Sequence, residues 1–267
     1  MIIGDKFIYF ELQKTGGTFV SVVLLDNEFI KVRKLGKHNR YTELDDDILT
    51  DFEHWKKIGN IRNPWEWYVS LWAFGCTRKG SIYSHMAKKP KLYKQSGIIR
   101  ALKDPLSMVR DTHAVNKLYE DVNNIENFRI WVNLILEPSQ ISMGIEYKKS
   151  KFSKFAGLMS FRYLNLYCLY SPKAISSLSS YEQLLEYDSK NNFMNHVIRL
   201  ENINSEMLKI SHVFGLKKEE MAIQLKKHAK PLNKSKHLEY NEYYTEKLKE
   251  LVMIREKFII HKYKYVF

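Results

Sequence analysis

A strand that runs into two adjacent glycines and then into a helix narrows the choice of fold more than any other stretch of this chain. Phe7-Ile8-Tyr9-Phe10-Glu11-Leu12 is short and mostly apolar, the pattern of a buried parallel strand. Gln13-Lys14-Thr15-Gly16-Gly17 is a tight basic turn, and Thr18-Phe19-Val20 opens the next helix. Glycines let a backbone fold closely around a ligand. Amides at the head of a helix face an anion with the positive end of the helix dipole behind them. Lys14 adds a full charge, and Thr15 and Thr18 add hydroxyls. Taken alone, the turn also fits a plain strand-to-helix connection. It departs from the Gly-x4-Gly-Lys-[Ser/Thr] order of nucleotide-binding loops, because its lysine precedes the glycines.

Strands alternate with helices through the first part of the chain. Lys6–Leu12, Ile30–Arg33 and Lys57–Arg62 read as strands. Thr18–Leu25, Thr42–His54 and Pro64–Phe74 read as helices. This order predicts an α/β fold, a single domain with a P-loop-like parallel sheet flanked by helices. Gly75–Ala114, rich in Lys, Ser, Gly and Pro, reads as an irregular excursion on the acceptor side with a short helix at Ile98–Lys103. Further helices are expected at Val115–Val122, Ile125–Leu136, Ser180–Tyr187, Lys217–Lys227 and Thr245–Phe258. Another is expected from a Ser205 cap to a Gly215 stop. Phe155–Tyr170 reads as a buried helix or a helix-to-strand connection, His196–Leu200 as a strand, and Pro231–Lys236 as a loop.

A second basic motif lies at Ile61-Arg62-Asn63-Pro64-Trp65-Glu66-Trp67-Tyr68-Val69-Ser70. Arg62 ends a strand, Asn63 suits a helix cap, and Pro64 suits the first helical position. Ser70 lies close to two turns after Asn63 and so on the same side. Arg62 and Ser70 together suit a phosphate, whose oxygens match the planar guanidinium fork. An arginine paired with a carboxylate and a serine bonded to its own backbone is the plainer alternative. Trp65, Trp67, Tyr68 and Trp72 recur at helical spacing and read as core.

With both motifs in hand, the chain resembles the sulfotransferase superfamily that uses 3′-phosphoadenosine 5′-phosphosulfate (PAPS). The likeness is to its carbohydrate-modifying members and their bacterial relatives. Lys14, Thr15, Gly16, Gly17 and Thr18 match the family loop that holds the 5′-phosphosulfate. Arg62 and Ser70 match the Arg…Ser segment that holds the 3′-phosphate. Gln13 stands where proline is usual and Phe19 where serine is common. Gly36-Lys37-His38 lies between the motifs, where many relatives carry a histidine base. Arg199-Leu200-Glu201-Asn202 looks like the family's strand ending in Glu-Asn. Asn233-Lys234-Ser235 resembles a loop closing over the cofactor.

The resemblance implies in-line transfer of a sulfuryl group to a hydroxyl on a glycan or small molecule, with PAPS as co-substrate, its 3′,5′-bisphosphate as product and no metal required. Lys14 would steady the leaving phosphate and His38 would take the acceptor's proton. His54, His85 and His113 are rival bases, as are the carboxylates Glu11 and Glu43. The formal charge of +13 over 267 residues favours an anionic partner without choosing one. Two other functions remain open: a P-loop kinase of small molecules, and a non-catalytic module for polyanions. Lys88, Lys89, Lys91 and Lys94, interleaved with Tyr93, read as an acceptor cleft or a solvated basic face. Cys76 and Cys168 fit free thiols, and no apolar run is long enough for a membrane span. The expectation is therefore a cytoplasmic protein that neither spans a membrane nor binds nucleic acid.

Overall fold

The computed structural model describes residues 1–103, 108, 111–138, 145–169, 171–229 and 237–267. The chain groups into two compact units, each assembled from three separated segments. The first comprises Met1–Asn63, Arg162–Pro172 and Leu185–Lys234. The second comprises Pro64–Phe161, Lys173–Leu184 and Ser235–Phe267.

The first unit is α/β and carries a five-stranded sheet. Its strands are β1 (Ile2–Ile3), β2 (Phe7–Phe10), β3 (Arg33–Lys34), β4 (Lys56–Ile61) and β5 (His196–Arg199). Their order is β3-β1-β2-β4-β5. β2, β4 and β5 are parallel, with Tyr9 opposite Ile58 and Gly59 opposite Val197. β1 is antiparallel to both β2 and β3. The sheet is thus mixed, and the all-parallel expectation holds only for the three neighbouring strands β2, β4 and β5. β1 escapes a sequence reading because two residues make no periodic pattern. The strand expected at Ile30–Arg33 is instead the exposed pair Arg33–Lys34, since Ile30 and Val32 pack into the core.

One face of the sheet is covered by helix α1 (Gly17–Leu25). Val20, Val23 and Leu24 meet Phe7, Tyr9, Ile58 and Ile198 there, all fully or nearly fully buried. The opposite face receives Phe10 against Phe193 at 5.2 Å, and Tyr167. Gly59 makes room for Tyr167, whose ring and hydroxyl lie 2.6 Å from where a Cβ would stand. The Tyr167 hydroxyl donates to the Asn60 carbonyl at 2.7 Å and accepts from the Asn60 amide at 2.9 Å.

The segment expected as one helix over Thr42–His54 is broken into a 3-10 turn (Tyr41–Glu43), a short helix (Asp46–Thr50) and a second 3-10 turn (Phe52–His54). Asp45 and Asp51 stand at the breaks, where a short polar side chain competes with helical hydrogen bonding. Ser205 does not cap its helix. The helix begins at Ile203, and the Ser205 hydroxyl donates back to the Asn202 carbonyl.

The second unit is helical in its described residues. Trp65, Trp67, Tyr68 and Trp72 of the Pro64–Cys76 helix are buried, as core residues at helical spacing should be. Trp72 packs edge-on against Phe128 and Tyr243. Glu256 is fully buried and accepts from the Met159 and Ser160 amides, the Ser160 hydroxyl and Tyr68. The expected irregular excursion over Gly75–Ala114 is largely helical, with helices Ser81–Ala87, Gln95–Lys103 and Thr112–Leu118. The last is set by Asp111, whose carboxylate accepts from the His113 and Ala114 amides. The short helix expected at Ile98–Lys103 is the end of Gln95–Lys103, while Lys88, Lys89, Lys91 and Lys94 in the connection before it gave the whole stretch a loop-like composition. Both cysteines are free. Among the described residues no helix is long and apolar enough to cross a membrane.

Tyr167 ties the sheet at the strand that carries Asn60. Tyr167→Phe is expected to lower stability by about 1–3 kcal/mol, the cost of stranding buried polar groups. Urea denaturation checks this, and a midpoint equal to that of the parent would show the bond pair to be dispensable.

Candidate functional site

The carboxyl ends of β2, β4 and β5 meet in the first unit, the place where open α/β sheets bind ligands. β2 leads into the Lys14–Gly17 turn, β4 into Arg62 and Asn63, and β5 into a 3-10 turn at Leu200–Asn202. The sequence-predicted loop residues Lys14, Thr15, Gly16, Gly17 and Thr18 lie together at the head of α1, beside Arg62.

Backbone geometry explains the glycines. Lys14 and Gly16 both have positive φ, 63° and 91°. A Cβ on Gly16 would stand 2.6 Å from Leu200 Cδ1, and one on Gly17 would stand 2.1 Å from Glu11 Cγ. Position 17 is therefore closed to any side chain while Glu11 lies beneath it. Thr15 is fully buried and its hydroxyl donates to the Leu12 carbonyl at 2.8 Å. That hydroxyl secures the turn from inside. Thr18 is half-buried and not committed in this way.

The carbonyls of the turn are held toward β4. Asn60 Nδ2 donates to the Thr15 carbonyl at 3.2 Å, and Arg62 Nη1 approaches the Lys14 carbonyl at 3.4 Å. In a trans peptide the N–H points opposite the C=O. The Thr15 and Gly16 amides are thereby turned away from β4. The Gly17 and Thr18 amides join them as first-turn groups with no intrahelical acceptor. The result is a ring of donors at the positive end of α1.

Charge accumulates at the same place. Burial drives the Lys14 ammonium down to about 8, and Arg62 and Lys37 push it further the same way. Neighbouring cations disfavour one another's charged form, and an added anion relieves that repulsion.

His38 reaches the site from the β3 side on a loop where its own φ is +60°. Its Nδ1 lies 2.7 Å from the Glu11 carbonyl. A carbonyl only accepts, so the neutral ring carries its proton on Nδ1 and leaves the Nε2 lone pair available. Burial lowers its pKa below the ordinary 6.5, against the pull of the Glu11 carbonyl and charge, and Arg162 adds to the lowering. The ring is thus held neutral near pH 7.

The rival bases separate on geometry. His54 lies just before the start of β4, so the strand's six residues, about 20 Å, stand between it and Arg62; it pairs with Asp51. Glu43 is occupied by Asn39 Nδ2 at 2.6 Å and the Arg40 amide at 2.9 Å. His85 and His113 belong to the second unit. Glu11 stays in place beneath the turn. It is 5% exposed, and its Oε2 has no hydrogen-bond partner among the described residues.

Asn60 and Glu201 carry roles that the motifs did not assign. One step beyond the Phe10–Gly59 pair, Glu11 and Asn60 stand side by side on the α1 face, and Asn60 Oδ1 is likewise buried without a hydrogen-bond partner among the described residues. Glu201 Oε1 accepts from the Asn63 amide at 2.6 Å, fixing the chain after Arg62. Its place in the Glu-Asn strand end was the signal. Ser70 is buried in the second unit, on the Pro64–Cys76 helix. Asn233, Lys234 and Ser235 lie outside the described residues. No protein-family model matches the chain, and no curated protein or solved structure matches it significantly.

Gly17→Ala is expected to destabilise the protein by about 1–3 kcal/mol, the usual cost of overpacking. In the double variant with Glu11→Ala most of that loss should return. Thermal unfolding of the four proteins checks the coupling, and strictly additive losses would contradict the packing described.

Proposed function

We propose that this chain is a sulfotransferase that moves a sulfuryl group from PAPS to a hydroxyl, on a saccharide or small-molecule acceptor. The observation that carries the reading is the meeting of Lys14, Arg62 and Lys37 at a glycine-built helix head, with His38 locked in one tautomer nearby. PAPS supplies the sulfuryl group when bound. An anionic group of its kind fits the donor ring and the clustered cations.

On this reading Lys14 and the Gly17 and Thr18 amides hold the 5′-phosphosulfate end and stabilise charge as it develops on the departing phosphate. Arg62 takes the 3′-phosphate. Nε2 of His38 accepts the proton that the acceptor hydroxyl loses as its oxygen bonds to sulfur. Glu11 is the carboxylate that would stand in as base. The two free cysteines suit a cytoplasmic setting.

Incubation with labelled PAPS and a panel of glycans, with and without magnesium, tests the reading. Label transfer without magnesium supports it. Turnover of ATP that requires magnesium favours a P-loop kinase, and salt-sensitive retention of polyanions without turnover favours a binding module. Lys14→Ala should lower kcat by about 10²–10³-fold, and His38→Asn by about 10²–10⁴-fold. Normal turnover by His38→Asn together with an inactive Glu11→Gln would move the base to Glu11.

The pH profile follows from the two shifted groups. Below its lowered pKa His38 is protonated and idle, so kcat/KM should rise with pH through a value under 6.5. Above about 8 Lys14 loses its charge, so kcat/KM should fall again. Lys14→Arg should extend the alkaline limb of whatever activity it retains, and an unchanged limb would detach it from Lys14.

A further inference from the structure

The lysine-rich stretch from Lys88 to Leu102 has no part in the site above, and it contains no Asp or Glu. In the second unit it forms a turn followed by the Gln95–Lys103 helix. Gly97 sets the shape: a Cβ there would stand 2.0 Å from the Lys91 carbonyl oxygen. The turn therefore doubles back hard against the start of the helix. The Lys91 carbonyl accepts from the Lys94 amide, and the Lys94 carbonyl accepts from the Gly97 and Ile98 amides.

This packing brings five large apolar side chains to the surface within eleven positions. Leu92 is 50% exposed, Tyr93 77%, Ile98 46%, Ile99 44% and Leu102 76%. Ile98, Ile99 and Leu102 share one side of the helix. Lysines fringe the patch: Lys91 and Lys94 each hold their ammonium 5.9 Å from the Tyr93 ring, on either side of it in sequence. Lys88 lies 5.2 Å from the Tyr83 ring.

We infer that this patch is a membrane foot: a surface that rests on anionic phospholipid, with the aliphatic side chains in the acyl boundary and the lysines at the headgroups. The chemistry of the patch selects that partner. A dissolved polyanion would satisfy the lysines and leave Ile98, Ile99 and Leu102 in water. A second copy of this chain would bring like charge, at +13 each, against a lysine fringe. Only a lipid surface offers hydrocarbon and negative charge in adjacent layers. Tyrosine and lysine suit the boundary, because each has an apolar body and a polar tip. The foot lies on the surface and spans nothing. It does not rest on the sulfotransferase reading.

Cosedimentation of the full chain with vesicles tests the foot. The vesicles are phosphatidylcholine alone, or phosphatidylcholine with one-third phosphatidylglycerol. Binding is expected to the anionic vesicles only, weakening as salt rises. Lys91→Gln and Lys94→Gln should each weaken it by about fivefold, one lysine's share at such a surface. Leu102→Asp should abolish it, and Tyr93→Ser, at the most exposed position, should reduce it at least threefold while thermal unfolding stays unchanged. Failure of the parent protein to sediment with anionic vesicles would overturn the inference. So would equal binding by all variants, loss of self-association as the main effect of Leu102→Asp, or heparin binding through the lysines without vesicle binding.

Discussion

The site depends on a side-chain amide reaching across two parallel strands. Asn60, at the end of β4, holds the carbonyl of Thr15 in the turn after β2. Arg62 lies against the carbonyl one residue earlier. With their oxygens drawn to β4, the peptide units of the turn aim their N–H groups the other way, and the head of α1 adds two more. The parallel register sets which residues meet. A slip of β4 by one position would put Asn60 on the other face and leave the turn without its partner.

Electrostatics then follow from crowding. Lys14 is held where solvent is partly excluded, and the charges of Arg62 and Lys37 add to the burial that lowers its pKa to about 8. Glu11, the carboxylate beneath them, sits under Gly17 with one oxygen unpartnered among the described residues. It lends negative potential to His38 without bonding to the imidazole, because the His38 contact is to the Glu11 carbonyl. Arg255 in the second unit shows the contrast. It is buried too, but it is surrounded by the carbonyls of Ser153, Lys154 and Ala156 that secure a chain turn. Buried charge there is structural.

The parts of this arrangement legible in the sequence were those with a local cause. Gly16 and Gly17 after an apolar strand announced the turn, Pro64 announced its helix, and the helix Ile125–Leu136 came out with the expected bounds because its apolar period is unbroken. Where the cause lies in the folded path of a turn or in a distant partner, the sequence carried no signal of it. Thr15 looked like a ligand donor because its hydroxyl's acceptor, Leu12, is revealed only by the path of the turn. Asn60 looked like an ordinary strand residue, since its importance comes from a neighbour 45 positions away. Within Gly75–Ala114 the helix expected at Ile98–Lys103 was seen only in part, and Ser81–Ala87 was obscured by flanking residues that composition assigns to loops. Glu43 was a fair candidate until its bonds to Asn39 and Arg40 were seen.

The antiparallel margin of the sheet has a kinetic meaning. β1 and β3 are two residues each, and β3 is exposed, yet this pair delivers His38 to its place. The turn that carries Lys14 is anchored separately, in the longer parallel strands. Edge pairs this short open at far lower free energy than a buried central ladder. The loop that carries Lys37 and His38 thus hangs on short pairings while the turn after β2 hangs on long ones, so that two sides of the candidate site draw on different local stabilities within one unit.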